Sequence, residues 1–348
     1  MITVRVPLGD RGYDVLIGHG ARHEMAGLLP RKAKRAAIVT QEGIPLDIDA
    51  GLPSEVFTIG HGESFKSLAT IEELCQGFAR MGLTRNDVVI GVGGGMVTDV
   101  AGFAAAAWHR GVPVVHVATT LVGMVDAAIG GKTGVNLAAQ AKAEGVAGIG
   151  GKNLIGAFWQ PVGVVCDLDA LTTLPPREVR CGRGEMAKYH FLTGDDLLAM
   201  DETQRIARCV EIKAEIVAGD EREGGRRALL NYGHTLAHAL EIETDYEMAH
   251  GEAVAVGLIY AARLARHLGR IDDLRVGQHY DVVGARYELD TSLPRGVDPQ
   301  RLVTSMGRDK KALGEGLTFV LDGPNGVEVV PRVEIEAARE VLDTMIRR

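Results

Sequence analysis

At 348 residues the chain is long enough for two domains, each with its own core. It carries 38 Lys and Arg against 46 Asp and Glu, a net charge of −8. That balance argues against nucleic acid or an acidic membrane as a partner, so any anionic ligand needs locally concentrated positive charge. Cys75, Cys166, Cys181 and Cys209 form no C-x-x-C pair, residues 1–7 alternate like a strand, and no apolar run reaches membrane-spanning length. A cytoplasmic chain in a reducing compartment is expected.

Residues 2–6 and 13–17 read as strands joined by the hairpin signal Gly9-Asp10-Arg11-Gly12. The apolar runs 36–40 and 55–59 suit buried parallel strands. Residues 67–81 read as a helix with Leu68, Ile71, Leu74, Cys75 and Phe78 on one stripe. The strand 87–92 runs into Gly93-Gly94-Gly95, and a helix follows over 97–107. His116-Val117-Ala118-Thr119-Thr120 reads as a further strand ending in two hydroxyls. This alternation predicts a parallel, doubly wound, Rossmann-like sheet.

Strand, glycine turn and helix hold a phosphate well, because backbone N–H groups approach it and the helix N-terminus is partly positive; a bare βα turn gives the same pattern. The turn is not G-x-G-x-x-G. Asp99 offers a carboxylate to a ribose or a nicotinamide amide. Residues 126–134 supply Asp126, paired glycines and Lys132. Gly131-Lys132-Thr133 looks like the end of a P-loop, but the upstream glycine that motif requires falls at Asp126, so the NTPase reading fails.

Past Pro175-Pro176 the pattern turns helical. Residues 203–218 place Ile206, Val210, Ile212 and Ile216 on a stripe, 252–268 is mostly apolar, and 317–321 with 326–330 read as a late hairpin. Of the eleven histidines, His234, His238 and His250 lie close together. His234 and His238 are four apart and share a helix face; with a third donor they read either as a metal site or as hydrogen-bonded core histidines. Residues 246–250 read as a loop that aims His250.

Several segments then match one family in order: Gly93 to Phe103, Thr119-Thr120-Leu121, Val125 to Asn136, Gly151 to Pro161, Thr173 to Glu178, Gly184 to Lys188, the histidine stretch and Asp309-Lys310-Lys311. Through these the chain resembles the 3-dehydroquinate synthases of the sugar-phosphate cyclase family, over about residues 60–320. The resemblance implies an α/β, Rossmann-like NAD-binding domain over 1–172 and a mostly α-helical, zinc-binding domain over 173–348, with the active site in the cleft. It implies NAD and zinc, or cobalt, as cofactors, a small phosphorylated sugar acid as substrate, and a homodimer. The implied reaction turns 3-deoxy-D-arabino-heptulosonate 7-phosphate into 3-dehydroquinate and phosphate: NAD oxidises one alcohol, phosphate leaves, the ketone is reduced, and the ring opens and recloses by aldol addition.

Position by position, the resemblance implies Glu185, His234 and His250 as metal ligands, with His238 on the substrate side. It implies Glu63, Lys66, Gly94, Gly95, Asp99, Thr119, Thr120, Lys132, Lys152, Thr173, Leu174 and Glu178 at NAD. Lys132, Lys188, Lys213, Arg227, Asn231 and His238 would carry catalysis; Asp126, Asn153, Arg110 and one of Lys310 or Lys311 would meet substrate, Arg110 across a subunit boundary.

The chain departs from the family pattern in places. About ten extra residues lie between Asn136 and Gly151, either a lid or a surface loop. Ala127-Ala128 stands where serines are common, and Gln41 where an acidic residue often holds the adenosine ribose, so weaker NAD binding is expected. Arg183-Gly184 is expected to leave the backbone freer beside Glu185. The rival readings are a cyclase for sedoheptulose 7-phosphate or glucose 6-phosphate, a glycerol-dehydrogenase-like metal-dependent oxidoreductase, and a non-catalytic NAD- or zinc-binding protein.

Overall fold

The computed structural model describes residues 1–45, 47–137, 151–308 and 316–346. The chain divides into two compact units, Met1–Pro175 with Asp201–Ala218, and Pro176–Met200 with Gly219–Arg348.

The strands of the first unit are β1 (Ile2–Val6), β2 (Tyr13–Gly18), β3 (Ala36–Gln41), β4 (Ser54–Ile59), β5 (Val88–Gly93), β6 (Val114–Ala118), β7 (Lys132–Leu137), β8 (Gly151–Phe158) and β9 (Gly163–Asp167). Seven of them form one sheet in the order β1-β2-β9-β6-β5-β3-β4, parallel except for β1, which pairs antiparallel with β2. Every residue of β5, β6 and β9 is buried. A strand covered on both faces needs side chains that leave water on both, which is why these segments are mostly apolar, with His116 in β6 and Asp167 at the end of β9 as the polar exceptions.

Helix α1 (Leu68–Met81) is capped by Ser67, whose hydroxyl accepts from the Thr70 N–H at 3.3 Å, and stops at Gly82 in the left-handed region. Its Ile71, Leu74 and Phe78 pack with Val97, Val100, Ala101 and Ala104 of α2 (Gly95–Ala107) on one face of the sheet. Met25 and Ala21 cover the other face. A later helix, Glu202–Gly219, belongs almost wholly to this unit.

β7 and β8 pair antiparallel as a separate ribbon, with no counterpart among the strands expected from sequence. Glycines hide it: Gly134 and Gly156 are opposed, and a Cβ on Gly156 would sit 2.1 Å from the Thr133 carbonyl oxygen. The close approach demands glycine, and glycine erases the alternation that announces a strand.

The second unit is helical, with α3 (Pro176–Thr193), α5 (His234–Glu243), α6 (His250–His267), α7 (Asp273–Tyr280), α8 (Pro299–Arg308) and α9 (Ile335–Met345); α4 is the helix Glu202–Gly219. A hairpin of β10 (Leu317–Leu321) and β11 (Glu328–Val333) joins them, as expected from the late apolar runs. Thirteen of the eighteen residues of α6 are buried, so it is the hub against which α3, α5 and α7 pack. Among the described residues no helix is long and apolar enough to cross a membrane.

Candidate active site

α3 and α6 meet at two glycines. A Cβ on Gly184 would fall 2.3 Å from the Gly251 carbonyl oxygen, and one on Gly251 would fall 2.0 Å from the Cys181 carbonyl oxygen. The expectation that Gly184 frees the backbone is therefore corrected: it sits where the two helices press closest. The neighbours of these glycines are Glu185 and His250, and His250 Nε2 lies 2.9 Å from Glu185 Oε1. α5 is held the same way. It starts after Gly233, in the left-handed region, and a Cβ on Gly257 of α6 would meet the Gly233 carbonyl oxygen at 2.0 Å. His234, the next residue, points Nε2 to within 3.4 Å of the same Glu185 oxygen.

His250 is the first residue of α6 rather than the end of a loop, which corrects the sequence reading of 246–250. The helix start is fixed by Glu252, whose carboxylate accepts from the Ala249 N–H at 3.1 Å and pairs with Arg177 at 2.8 Å.

One ligand atom from each of Glu185, His234 and His250 lies within 4.8 Å of the others. His238, one turn along α5, keeps its ring 5.6 Å from that of His234 and 6.3 Å from that of His250, and is not in this set. The donors suit a metal ion: two imidazoles and one carboxylate are a zinc-type set with room for a fourth ligand. The Tyr232 carbonyl lies 3.0 Å from His234 Nδ1; since a carbonyl only accepts, Nδ1 carries the proton and Nε2 keeps its lone pair for the metal.

Electrostatics agree with that fit at Glu185, held anionic, and at His234, held neutral. Burial alone would raise the Glu185 carboxyl, but Lys188, 2.6 Å away, and His234 outweigh it and hold the group well below the usual carboxylate range. Burial lowers His234. His250 is opposed by burial too, but Glu185 and Glu241 bracket its ring and hold it at about 10 without a metal. Glu241 lies seven residues past His234 on α5 and is 3.5 Å from His250 Nδ1. The sequence reading gave it no role, although its helical spacing from His234 places it on the same face.

The other expected residues of this unit fall as follows. Lys188 is buried one turn after Glu185. Arg227 is buried, with Nη1 donating to the Glu221 carbonyl at 2.5 Å and its backbone N–H donating to Asp220. Asn231 Nδ2 donates to Glu223 at 3.1 Å. Glu178 is exposed in the first turn of α3. Lys310, Lys311 and most of the extra stretch after Asn136 lie outside the described residues.

In the first unit the glycine turn is Gly93, closing β5, then Gly94 at the N-cap of α2 and Gly95 inside it, with no side chain capping that end. Its first-turn N–H groups therefore suit a phosphate. A Cβ on Gly95 would meet Ala127 Cβ at 2.9 Å, so the small residue at 127 lets the helix start come close. Thr119 donates its N–H to the Gly93 carbonyl at 2.9 Å, and Thr120 Oγ1 accepts from the Gly123 N–H at 3.1 Å. Lys66 is buried and bridges Asp99 Oδ2 and Asn153 Oδ1, each at 2.5 Å. Glu63 accepts from Asn136 Nδ2 at 2.6 Å and has Lys152 Nζ 3.9 Å away.

Lys213, on α4, forms an ion pair with Asp126 and also donates to the Asp126 carbonyl at 2.6 Å. Lys132 is exposed at the start of β7. Thr173 and Leu174 close the 3-10 turn after β9, and Arg110 ends a turn after α2 at φ 65. Gln41 uses its amide nitrogen on the Gly60 carbonyl at 2.9 Å, a bond a carboxylate cannot make; glutamine here ties the end of β3 to the loop after β4.

Comparison with known proteins fits this arrangement. The family model described as 3-dehydroquinate synthase N-terminal matches residues 56–181, and the one described as 3-dehydroquinate synthase C-terminal matches 182–312. The chain is 50% identical to a protein of Amycolatopsis mediterranei named "Putative aminodehydroquinate synthase", over 99% of this chain and 95% of that one. It is 40% identical to a 3-dehydroquinate synthase of Mycobacterium leprae, over 92% of this chain and 91% of that one. Its fold is that of 2-deoxy-scyllo-inosose synthase, a structure solved with carbaglucose-6-phosphate, NAD+ and Co2+: TM-score 0.86 at 24% identity, covering 99% of this chain and 100% of that one. Both halves of the sequence and the fold lead to one conclusion: the chain belongs to the 3-dehydroquinate synthase family of sugar-phosphate cyclases.

Proposed function

We propose that the protein cyclises a 3-deoxy-heptulosonate 7-phosphate to a dehydroquinate-type ring and inorganic phosphate. The observation that carries this reading is the Glu185–His234–His250 trio, buried at Glu185 and His234 and half-buried at His250, set by two glycine-packed helix crossings in a chain that matches both halves of the family. The trio would hold zinc or cobalt, which when bound supplies Lewis acidity toward the substrate's oxygens. Gly94, Gly95, Glu63, Lys66, Asp99, Lys132, Lys152, Thr119, Thr120, Thr173, Leu174 and Glu178 would hold NAD, which when bound accepts a hydride and returns it, so none is consumed.

The remaining groups bind and move protons. Lys132, Lys188, Lys213, Arg227 and Arg110 supply the positive charge that a phosphorylated carboxylate needs in a protein of net charge −8. Asp126, Asn153, Asn231 and one of Lys310 or Lys311 orient the sugar hydroxyls and carboxylate. His238 holds a proton at the substrate hydroxyl. Phosphate elimination needs no dedicated base, because the substrate's own phosphate oxygen can take the neighbouring proton. Arg110 acts in a homodimer, which size-exclusion chromatography with light scattering tests.

Two substrates of this class are in play. The hydroxylated heptulosonate phosphate gives 3-dehydroquinate. The amino analogue, with an amine in place of one hydroxyl, gives aminodehydroquinate, and 50% identity to the Amycolatopsis protein against 40% to the mycobacterial synthase favours it. Incubating the purified enzyme with each, with phosphate release and product mass as readouts, decides between them. Turnover of sedoheptulose 7-phosphate or glucose 6-phosphate alone would sink both.

A further inference from the structure

The β7–β8 ribbon holds a side chain that none of these roles includes. Asn136, near the end of β7, makes three strong bonds at once. Its backbone N–H donates to the Lys66 carbonyl at 2.8 Å, its Nδ2 donates to Glu63 Oε2 at 2.6 Å, and its Oδ1 accepts from the Asn153 backbone N–H at 2.9 Å. Asn153 stands at φ 55, in the left-handed region that asparagine adopts more readily than other residues with a Cβ. Its own Oδ1 accepts from Lys66 Nζ, which also donates to Asp99. Glu63, Asn136, Asn153 and Lys66 thus close a ring of contacts: the side-chain amide at 136 links Glu63 to Asn153, and Lys66 meets Glu63 and Asn136 through its backbone and Asn153 through its ammonium group.

We propose that Asn136 is a positioning residue that sets Glu63 for the cofactor and Asn153 for the substrate, and so couples the two binding events. The inference rests on the proposed roles of Glu63 at NAD and Asn153 at substrate. Its physical basis is the amide's two ends: the donor end serves a carboxylate and the acceptor end serves a backbone N–H, a combination neither Asp nor Leu provides. A ligand that orders either end pre-orders the other, so each binds more tightly once its companion is present.

Asn136→Asp separates the two arms. It keeps an acceptor for the Asn153 N–H but turns a like charge on Glu63. Asn136→Ala removes both arms. NAD dissociation constants, the KM for the heptulosonate phosphate, kcat and thermal midpoints would be measured for both variants, for Glu63→Gln, and for the double variant Asn136→Asp/Glu63→Gln. The expected result is NAD binding weakened about tenfold in Asn136→Asp with KM for the sugar phosphate nearly unchanged, and both impaired in Asn136→Ala. In the double variant the Asp substitution should add nothing beyond Glu63→Gln, since no charge remains for it to repel. Full additivity, or unchanged NAD affinity in Asn136→Asp while Glu63→Gln weakens it, overturns the proposal and leaves the role of Glu63 standing. Unchanged NAD affinity in Glu63→Gln itself removes that role and the proposal with it. A drop in thermal midpoint with kcat, KM and NAD affinity all intact marks Asn136 as merely structural and also overturns it.

Discussion

Gly184 and Gly251 touch where α3 crosses α6, a Cβ on the first falling 2.3 Å from the carbonyl oxygen of the second, and the residues next to them, Glu185 and His250, stand 2.9 Å apart. The geometry of these two proposed ligands follows from backbone packing. Gly184→Ala must push the helices apart, an overpacking cost on the order of 1–3 kcal/mol. Both the thermal midpoint and the affinity for zinc should fall, as read by calorimetry and chelator competition. A variant with lower stability but wild-type metal affinity would separate the crossing from the site.

His234→Ala and Glu185→Gln each remove one of the three proposed ligands. Bound metal, measured by elemental analysis after dialysis, should drop at least tenfold, and phosphate release should be lost with it. Chelation of the wild type should abolish activity, and zinc or cobalt should restore it. Unchanged activity in His234→Ala would refute the metal assignment.

Tyr232 contributes to two contacts through different atoms. Its carbonyl faces His234 Nδ1, and its hydroxyl lies 2.8 Å from Nε2 of the buried His279, which also stacks on Phe191. Tyr232→Phe removes only the second. Stability in a urea titration should fall by about 1–3 kcal/mol, the cost of a buried polar atom left without its partner. Metal affinity should stay as in the wild type, because the backbone carbonyl remains.

His116 lies on β6 beneath α2, is 3% exposed, and its Nδ1 has no hydrogen-bond partner among the described residues. Burial pushes it down from 6.5 to about 4. Its folded value is below its unfolded one, so as pH falls the unfolded chain takes the proton first. The stabilising contribution is therefore complete above about pH 6.5 and is lost between there and pH 4, by about 3 kcal/mol at most. His116→Leu should flatten this part of the stability–pH curve measured by urea titration. An unchanged slope would show that other groups carry it.

Lys213 is buried and its charge is matched by Asp126. Removing one member of such a pair leaves the other without its counter-charge, so Asp126→Asn should destabilise the first unit by more than the roughly 1 kcal/mol typical of an exposed pair. Lys213→Ala should also lower kcat/KM for the sugar phosphate at least tenfold. Full activity in that variant would remove Lys213 from the substrate contacts.

Local signals carried much of the fold. The apolar run of β5 and the stripe of α1 are short-range patterns, and the sequence shows them directly. The ribbon of β7 and β8 was hidden because Gly134 and Gly156, required by its tight approach, interrupt the alternation. The site was legible in kind but not in geometry. Helical spacing pairs His234 with His238, whereas the cluster that could hold a metal groups His234 with Glu185 and His250, the last two brought together at the α3–α6 crossing. Glu241 and Asn136 escaped notice because what marks them is what they touch, and those partners come from other elements.

The central claim is tested most directly by incubating the metal-loaded enzyme with the heptulosonate 7-phosphate and its amino analogue at sub-stoichiometric NAD, following phosphate and NADH together. The account predicts many phosphates released per NAD, a cyclic product identified by mass, and no net NADH. Accumulating NADH without phosphate release, or turnover confined to sedoheptulose 7-phosphate or glucose 6-phosphate, would contradict it.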